Sequence, residues 1–155
     1  MDAAAEQPEP QPQPQPGRLE AQTDQPSETE IAQETGRSAR IFSCAAKVWG
    51  TRSAELGLCT RTVELIDVRK TLKHANPHHD AELQPKTGLD AAVVDYIVGK
   101  ARAEFEALVL QVAETVQSGR SVCVVCVGGK HRSVAIAEQA ACRLGLQAEH
   151  LMLLD

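Results

Sequence analysis

The feature that most constrains this chain is an unbroken passage from Val122 to Gln139, VCVVCVGGKHRSVAIAEQ. After Ser121, the rest of the 121–127 segment is apolar without alternation, the pattern of a strand buried on both faces of a sheet. Gly128-Gly129 then breaks the run. Residues 132–144 carry a helical pattern that Gly145 closes. A buried strand running through a glycine turn into a helix is half of a β-α-β unit, which places the chain among α/β folds with helices over a mainly parallel sheet.

The remaining segments fit that frame. Residues 40–49 and 62–68 read as strands, the second alternating and β-branched, with a connection between them that has room for one helical turn. Residues 69–90 are broken by Pro77, Pro85 and Gly88 and read as a long irregular loop. Asp90 is a good N-cap for a helix over 91–119, where Val93, Ile97, Phe105, Leu108, Val112 and Val116 recur at helical spacing before Gly119 stops it. Residues 148–154 read as a short last strand. The expected architecture is α/β: a small, mainly parallel sheet of about four strands with flanking helices, in a domain over 37–155.

Residues 1–36 do not fit it. They hold six of the eight prolines and only Leu19 and Ile31 as large aliphatics, too little apolar surface to offset the entropy of ordering. The expectation is a disordered, acidic, Pro/Gln-rich tail preceding the domain. With eight acids and one arginine it carries −7, while residues 37–155 carry thirteen acids and fifteen Lys or Arg, +2. The overall −5 therefore belongs to the tail, and the domain neither demands nor forbids an anionic ligand. No stretch reaches the ~18 apolar residues of a membrane span, and the start of the chain lacks the layout of a signal or transit peptide. The odd count of five cysteines, mostly in apolar runs, suggests reduced thiols and a cytoplasmic location, with no membrane partner.

In open parallel sheets, ligands collect beyond the carboxyl ends of the strands. Here that edge carries the Val127-Gly128-Gly129-Lys130-His131 turn, the start of the 132–144 helix, and Asp67, Arg69, Lys70, Lys73 and His74 after the second strand. Glycines let backbone approach a ligand, a helix start offers unpaired N–H groups, and an arginine fork matches phosphate better than lysine does. A glycine pair alone is just a tight turn; followed at once by Lys-His-Arg and a helix, it points to an anion pocket. Cys126 and Arg132, with five residues between them, also match the spacing with which protein tyrosine phosphatases hold phosphate against a thiolate. That chemistry needs a proton donor as well, from Asp67, Asp80 or Asp90, and Val125 stands where those enzymes usually have histidine. Cysteine-dependent hydrolysis is the alternative reading.

Two metal motifs weaken on inspection. Cys123 and Cys126 are three apart in a strand and so face opposite sides of the sheet. His74 and His78 have ligand spacing for a helix that Asn76-Pro77 breaks, so the loop offers imidazoles to a ligand instead. No metal and no cofactor is expected.

The segments IDVRKTLKHANPHHDAELQPKTGLD and VCVGGKHRSVAIAEQ together resemble the C-terminal domain of the RapZ family, the bacterial RNase adaptor proteins once called nucleotide-binding YvcJ-type proteins. The resemblance spans roughly residues 40–155. It implies a domain similar to a sugar-kinase subdomain that binds glucosamine-6-phosphate, contacts small regulatory RNAs and self-associates, so that a phosphorylated small molecule, RNA and a second copy in a homodimer are the partners it suggests. By position the implied ligand-binding set is Asp67, Arg69, His78, Cys126, Val127, Gly128, Gly129, His131, Arg132 and Ser133, with no catalytic residue. The chain departs from the family at several points: Val127 replaces the usual threonine and His79 the tryptophan, and no Walker-type loop is present. The family's basic final extension has no counterpart in HLMLLD, which is expected to weaken attraction to an RNA backbone. An RNA-interaction module using Arg69, Lys70, Lys73, Lys130 and Arg143 is the third reading.

Overall fold

The computed structural model describes residues 38–153 and, in isolation, residue 12. The expected tail over 1–36 and the end of the expected last strand lie outside these. The described residues form one four-stranded sheet in which every neighbouring pair is parallel: β1 (Ile41–Ala45), β2 (Val63–Asp67), β3 (Ser121–Cys126) and β4 (Ala148–His150), in spatial order β2-β3-β1-β4. Three helices connect them: α1 (Trp49–Glu55), preceded by a 3₁₀ turn over Ala46–Val48, then α2 (Ala91–Gln117) and α3 (Arg132–Leu144).

From Val122 onward the β3 run is apolar because both of its faces are covered. Val122, Val124 and Cys126 join Ile41 and Ile66 under α2 and α3, while Cys123 and Val125 join Phe42, Cys44, Val63, Trp49 and Leu151 on the other side. Cys123 and Cys126 thus belong to different cores, as strand alternation requires. Of the five cysteines, Cys44, Cys123 and Cys126 are buried, Cys59 and Cys142 are exposed, and all are free thiols.

Helix α3 has the bounds expected from sequence, with Gly145 closing it at φ 66°. Helix α2 begins as expected, the Asp90 carboxylate accepting from the Ala92 N–H at 2.9 Å, but bends at Ala101, whose φ/ψ of −149°/52° is not helical. Three strand ends are corrected. β1 stops at Ala45 instead of reaching 49, because Ala46 to Glu55 turns into helix and Trp49 rolls back to cap Phe42, their rings 6.4 Å apart. β3 ends at Cys126, leaving Val127 in the turn and 60% exposed. β4 ends at His150, and Leu151 folds into the second core through a turn.

Side chains hold β4 to its neighbours where its backbone ladder is short. Arg40 pairs bidentately with Glu149 at 2.6–2.7 Å, and His150 bridges Ser43 Oγ at 2.8 Å and Glu138 of α3 at 2.6 Å. Ser43 is fully buried, so its hydroxyl serves this bridge and cannot meet a substrate. No helix among the described residues is long and apolar enough to cross a membrane.

Candidate anion-binding site

The turn after β3 is shaped by its two glycines in different ways. Gly129 has φ 69°, and a Cβ there would stand 2.4 Å from the Ala45 nitrogen and 2.7 Å from the Cys44 carbonyl carbon, so the turn is pressed directly on β1. A Cβ on Gly128 would meet nothing within 4 Å. The 129 N–H donates back to Cys126 Sγ at 3.2 Å, and Ser133 Oγ lies 3.2 Å from the same sulfur. The turn therefore folds around the thiol and delivers the chain into α3 at Arg132.

The second motif locks this turn from outside. The Gly88 N–H donates to the Lys130 carbonyl at 2.8 Å. A Cβ at Gly88 would come within 2.3 Å of the His131 carbonyl oxygen and 2.4 Å of the Ala135 nitrogen. The glycine of PKTGLD is thus required for two segments far apart in sequence to touch. From the same loop, the Gln84 carbonyl accepts from His131 Nε2 at 3.2 Å, which fixes the ring proton on that nitrogen. The His78 and His131 rings lie 6.4 Å apart, and burial pushes His131 below the ordinary imidazole value of 6.5, toward its neutral form.

Between turn and loop lies an open cavity of about 600 Å³, lined by Cys126, Val127, Gly128, Lys130, His131 and Arg132 from the turn and by Asn76, His78, His79 and Gln84 from the loop. Arg132 is its most unusual member. The side chain is only 3% exposed, yet it makes one hydrogen bond, from Nη1 to the Leu72 carbonyl at 3.2 Å, and its Nε has no partner. Burial works against its charge, offset in part by Cys126 and Asp67. An unmet donor on a buried guanidinium is costly, by roughly 1–3 kcal/mol, unless an acceptor enters from the cavity.

The expected site residues divide into three groups. His78, Cys126, Val127, Gly128, His131 and Arg132 line the cavity together. Gly129 and Ser133 stand behind it, shaping the turn and touching Cys126. Asp67 and Arg69 lie outside the lining: the Arg69 guanidinium holds the Asp67 carboxylate through contacts of 2.6–3.0 Å and keeps it below its usual range, in an exposed pair. Asp67 is adjacent in strand register to Val125, which explains its field at Arg132 without contact.

The other carboxylates considered as proton donors are also engaged. Asp80 accepts from the Glu82 and Leu83 N–H groups, and Asp90 caps α2 and approaches Lys86. No carboxylate is among the residues lining the cavity. Asn76 and Gln84 were not singled out from sequence. Asn76-Pro77 reads as a chain breaker, and only the structure reveals that the break folds the loop over the turn, with Asn76 Oδ1 accepting from the His78 N–H at 3.3 Å.

Residues 53–153 match the model of the RapZ C-terminal domain. A nucleotide-binding protein of Thermus thermophilus is 35% identical over 120 residues, covering 72% of this chain and 40% of that protein. Nucleotide-binding proteins of a Nocardioides species and of Mycolicibacterium paratuberculosis are 46% and 44% identical over 79 and 84 residues, each matched over 26% of its own length. The chain thus corresponds to well under half of each of these relatives.

Proposed function

The chain belongs to the RapZ C-terminal domain family, and from that premise we propose that its cavity is a regulatory binding site for a small phosphorylated metabolite, which it grips and does not cleave. One observation carries the reading: a buried arginine with an unmet donor lines the cavity at the start of a helix. A phosphate oxygen supplies what Nε lacks, and a guanidinium offers donors in the planar arrangement that phosphate accepts. Lys130 adds a second positive charge to the lining.

The engagement of Asp67, Asp80 and Asp90 supports gripping over hydrolysis. A thiolate attack on phosphate needs an acid for the leaving group, and each of these carboxylates already holds another partner. The rest of the lining, Asn76, His78, His79 and Gln84, is rich in hydrogen-bonding groups suited to a hydroxylated body. Together with the family resemblance this favours a sugar phosphate, and glucosamine-6-phosphate is the first candidate.

The test is a calorimetric titration of the full chain with glucosamine-6-phosphate, glucose-6-phosphate and inorganic phosphate. Saturable binding, strongest for the amino sugar, is expected. Hydrolysis of an aryl phosphate by the wild-type protein but not by Cys126→Ser would overturn the reading in favour of the phosphatase, and absence of binding to all three would remove the phosphate assignment.

A further inference from the structure

We propose that Cys126 is a peroxide-sensitive thiol whose oxidation closes the cavity to its phosphorylated ligand, a regulation that rests on the binding reading given above. The cysteines are not equivalent. Cys44 and Cys123 lie within the second core, where burial pushes both thiols above their ordinary range and holds them in the unreactive protonated form. Cys59 and Cys142 are exposed but lie outside the cavity. Cys126 is also buried, at 3% exposed on the edge of the first core, but it is the one cysteine that lines the cavity.

Two independent features make that position more than a lone thiol. The sulfur is the centre around which the turn folds, with the Gly129 N–H and the Ser133 hydroxyl each 3.2 Å away. Arg132, on the same cavity, is 3% exposed and holds an Nε donor without a partner. An oxygen added to Sγ is a polar acceptor on the same cavity lining as Arg132, whose Nε has no partner among the described residues. It takes up room in the cavity and competes with phosphate for that guanidinium.

The chemistry balances with hydrogen peroxide as the oxidant. Sγ attacks one peroxide oxygen, the O–O bond breaks and an S–O bond forms. The second oxygen leaves as water, carrying the thiol's proton: Cys–SH + H₂O₂ → Cys–SOH + H₂O. Sulfur loses two electrons and peroxide gains them. Cys123 faces the opposite core, so it cannot trap the sulfenic acid as a disulfide across β3. Reversal therefore falls to an added thiol, which reduces Sγ through a mixed disulfide.

The experiment uses the full chain carrying Cys59→Ser and Cys142→Ser, which removes the exposed thiols. The protein is treated with hydrogen peroxide, trapped with dimedone and mapped by mass spectrometry. In parallel, its affinity for glucosamine-6-phosphate is measured before oxidation, after it, and after dithiothreitol. The expected result is dimedone on Cys126 and an affinity reduced at least ~10-fold, equivalent to about 1.4 kcal/mol, and restored by the dithiol. A further Cys126→Ser replacement should show one affinity, whatever its value, before and after peroxide. Absence of label on Cys126, or label with unchanged affinity, would overturn the proposal. If the reduced protein binds no phosphate ligand, the binding reading fails and the gate with it, while the label still decides whether the thiol is reactive.

Discussion

Two loops leave the carboxyl ends of adjacent parallel strands, and each carries an arginine. After β2, Arg69 is half exposed and closes on Asp67 two residues away, through a bidentate pair with every short contact internal to the loop. After β3, Arg132 is buried and keeps a donor that nothing in the described residues answers. Charge and position on the sheet are alike, and the sequence marks both as ligand-binding. What separates them is whether the protein itself has satisfied the guanidinium. A satisfied, solvated pair is worth little and asks for nothing, whereas a buried, unmet donor is tolerated only where something else is served by it.

The comparison breaks first at Arg132. Arg132→Met should lower affinity for a phosphorylated ligand by roughly thirtyfold or more, since removing one partner of a buried charged contact typically costs ~2 kcal/mol or above. The same change should leave the melting temperature of the ligand-free protein unchanged or raised, because a buried charge without full pairing contributes little to stability. A parallel loss of both binding and stability would mean that Arg132 is a structural strut.

The two glycines of the turn sharpen the point. Gly129→Ala forces a Cβ into the backbone of β1 at a positive φ, and should destabilise the fold by more than ~2 kcal/mol in denaturant unfolding. Gly128→Ala, with open space around it, should change stability by less than ~0.5 kcal/mol while weakening ligand binding, because Gly128 lines the cavity.

The loops should also titrate apart. His131 is pushed below 6.5, so the unfolded chain takes up its proton first; its contribution to stability is complete above that value and is lost as pH falls from 6.5 toward the lower folded value. Asp67 is held below 3.8 by Arg69, so its contribution is complete above 3.8 and is lost only below it. The stabilities of wild type and His131→Gln should converge as pH drops from 7 to 5, by ~1 kcal/mol or less at a partly buried site, while Asp67→Asn shifts stability by the same small amount across that window and adds no pH dependence there. The smallest effect belongs to Arg69→Ala, which should change ligand affinity by less than about threefold, since exposed charges outside the site act only through a screened field.

Much of the architecture was legible in the sequence because periodicity and punctuation agree. Asp90, Gly145 and the apolar β3 run fix one helix start, one helix end and the central strand. The strand ends were less legible, because Ala46, Val48 and Leu151 are apolar for the sake of the second core and continue the strand pattern after the ladder has stopped. At the site, Arg132, His131 and Gly128 stood out by their sequence neighbours. Asn76 and Gln84 did not, since their role depends on Gly88 clamping a distant loop against the turn. Nor could composition separate Arg69 from Arg132. The sequence of the β2 loop contains the partner of its arginine, but burial and an absent partner are properties of the folded chain.

The most direct measurement follows the arginine Nε–H resonances of isotope-labelled full-length protein by NMR while glucosamine-6-phosphate is added. The account predicts that the Arg132 Nε–H signal moves and saturates with ligand while that of Arg69, already bonded to Asp67, stays in place. Movement of Arg69 with Arg132 unchanged would contradict it.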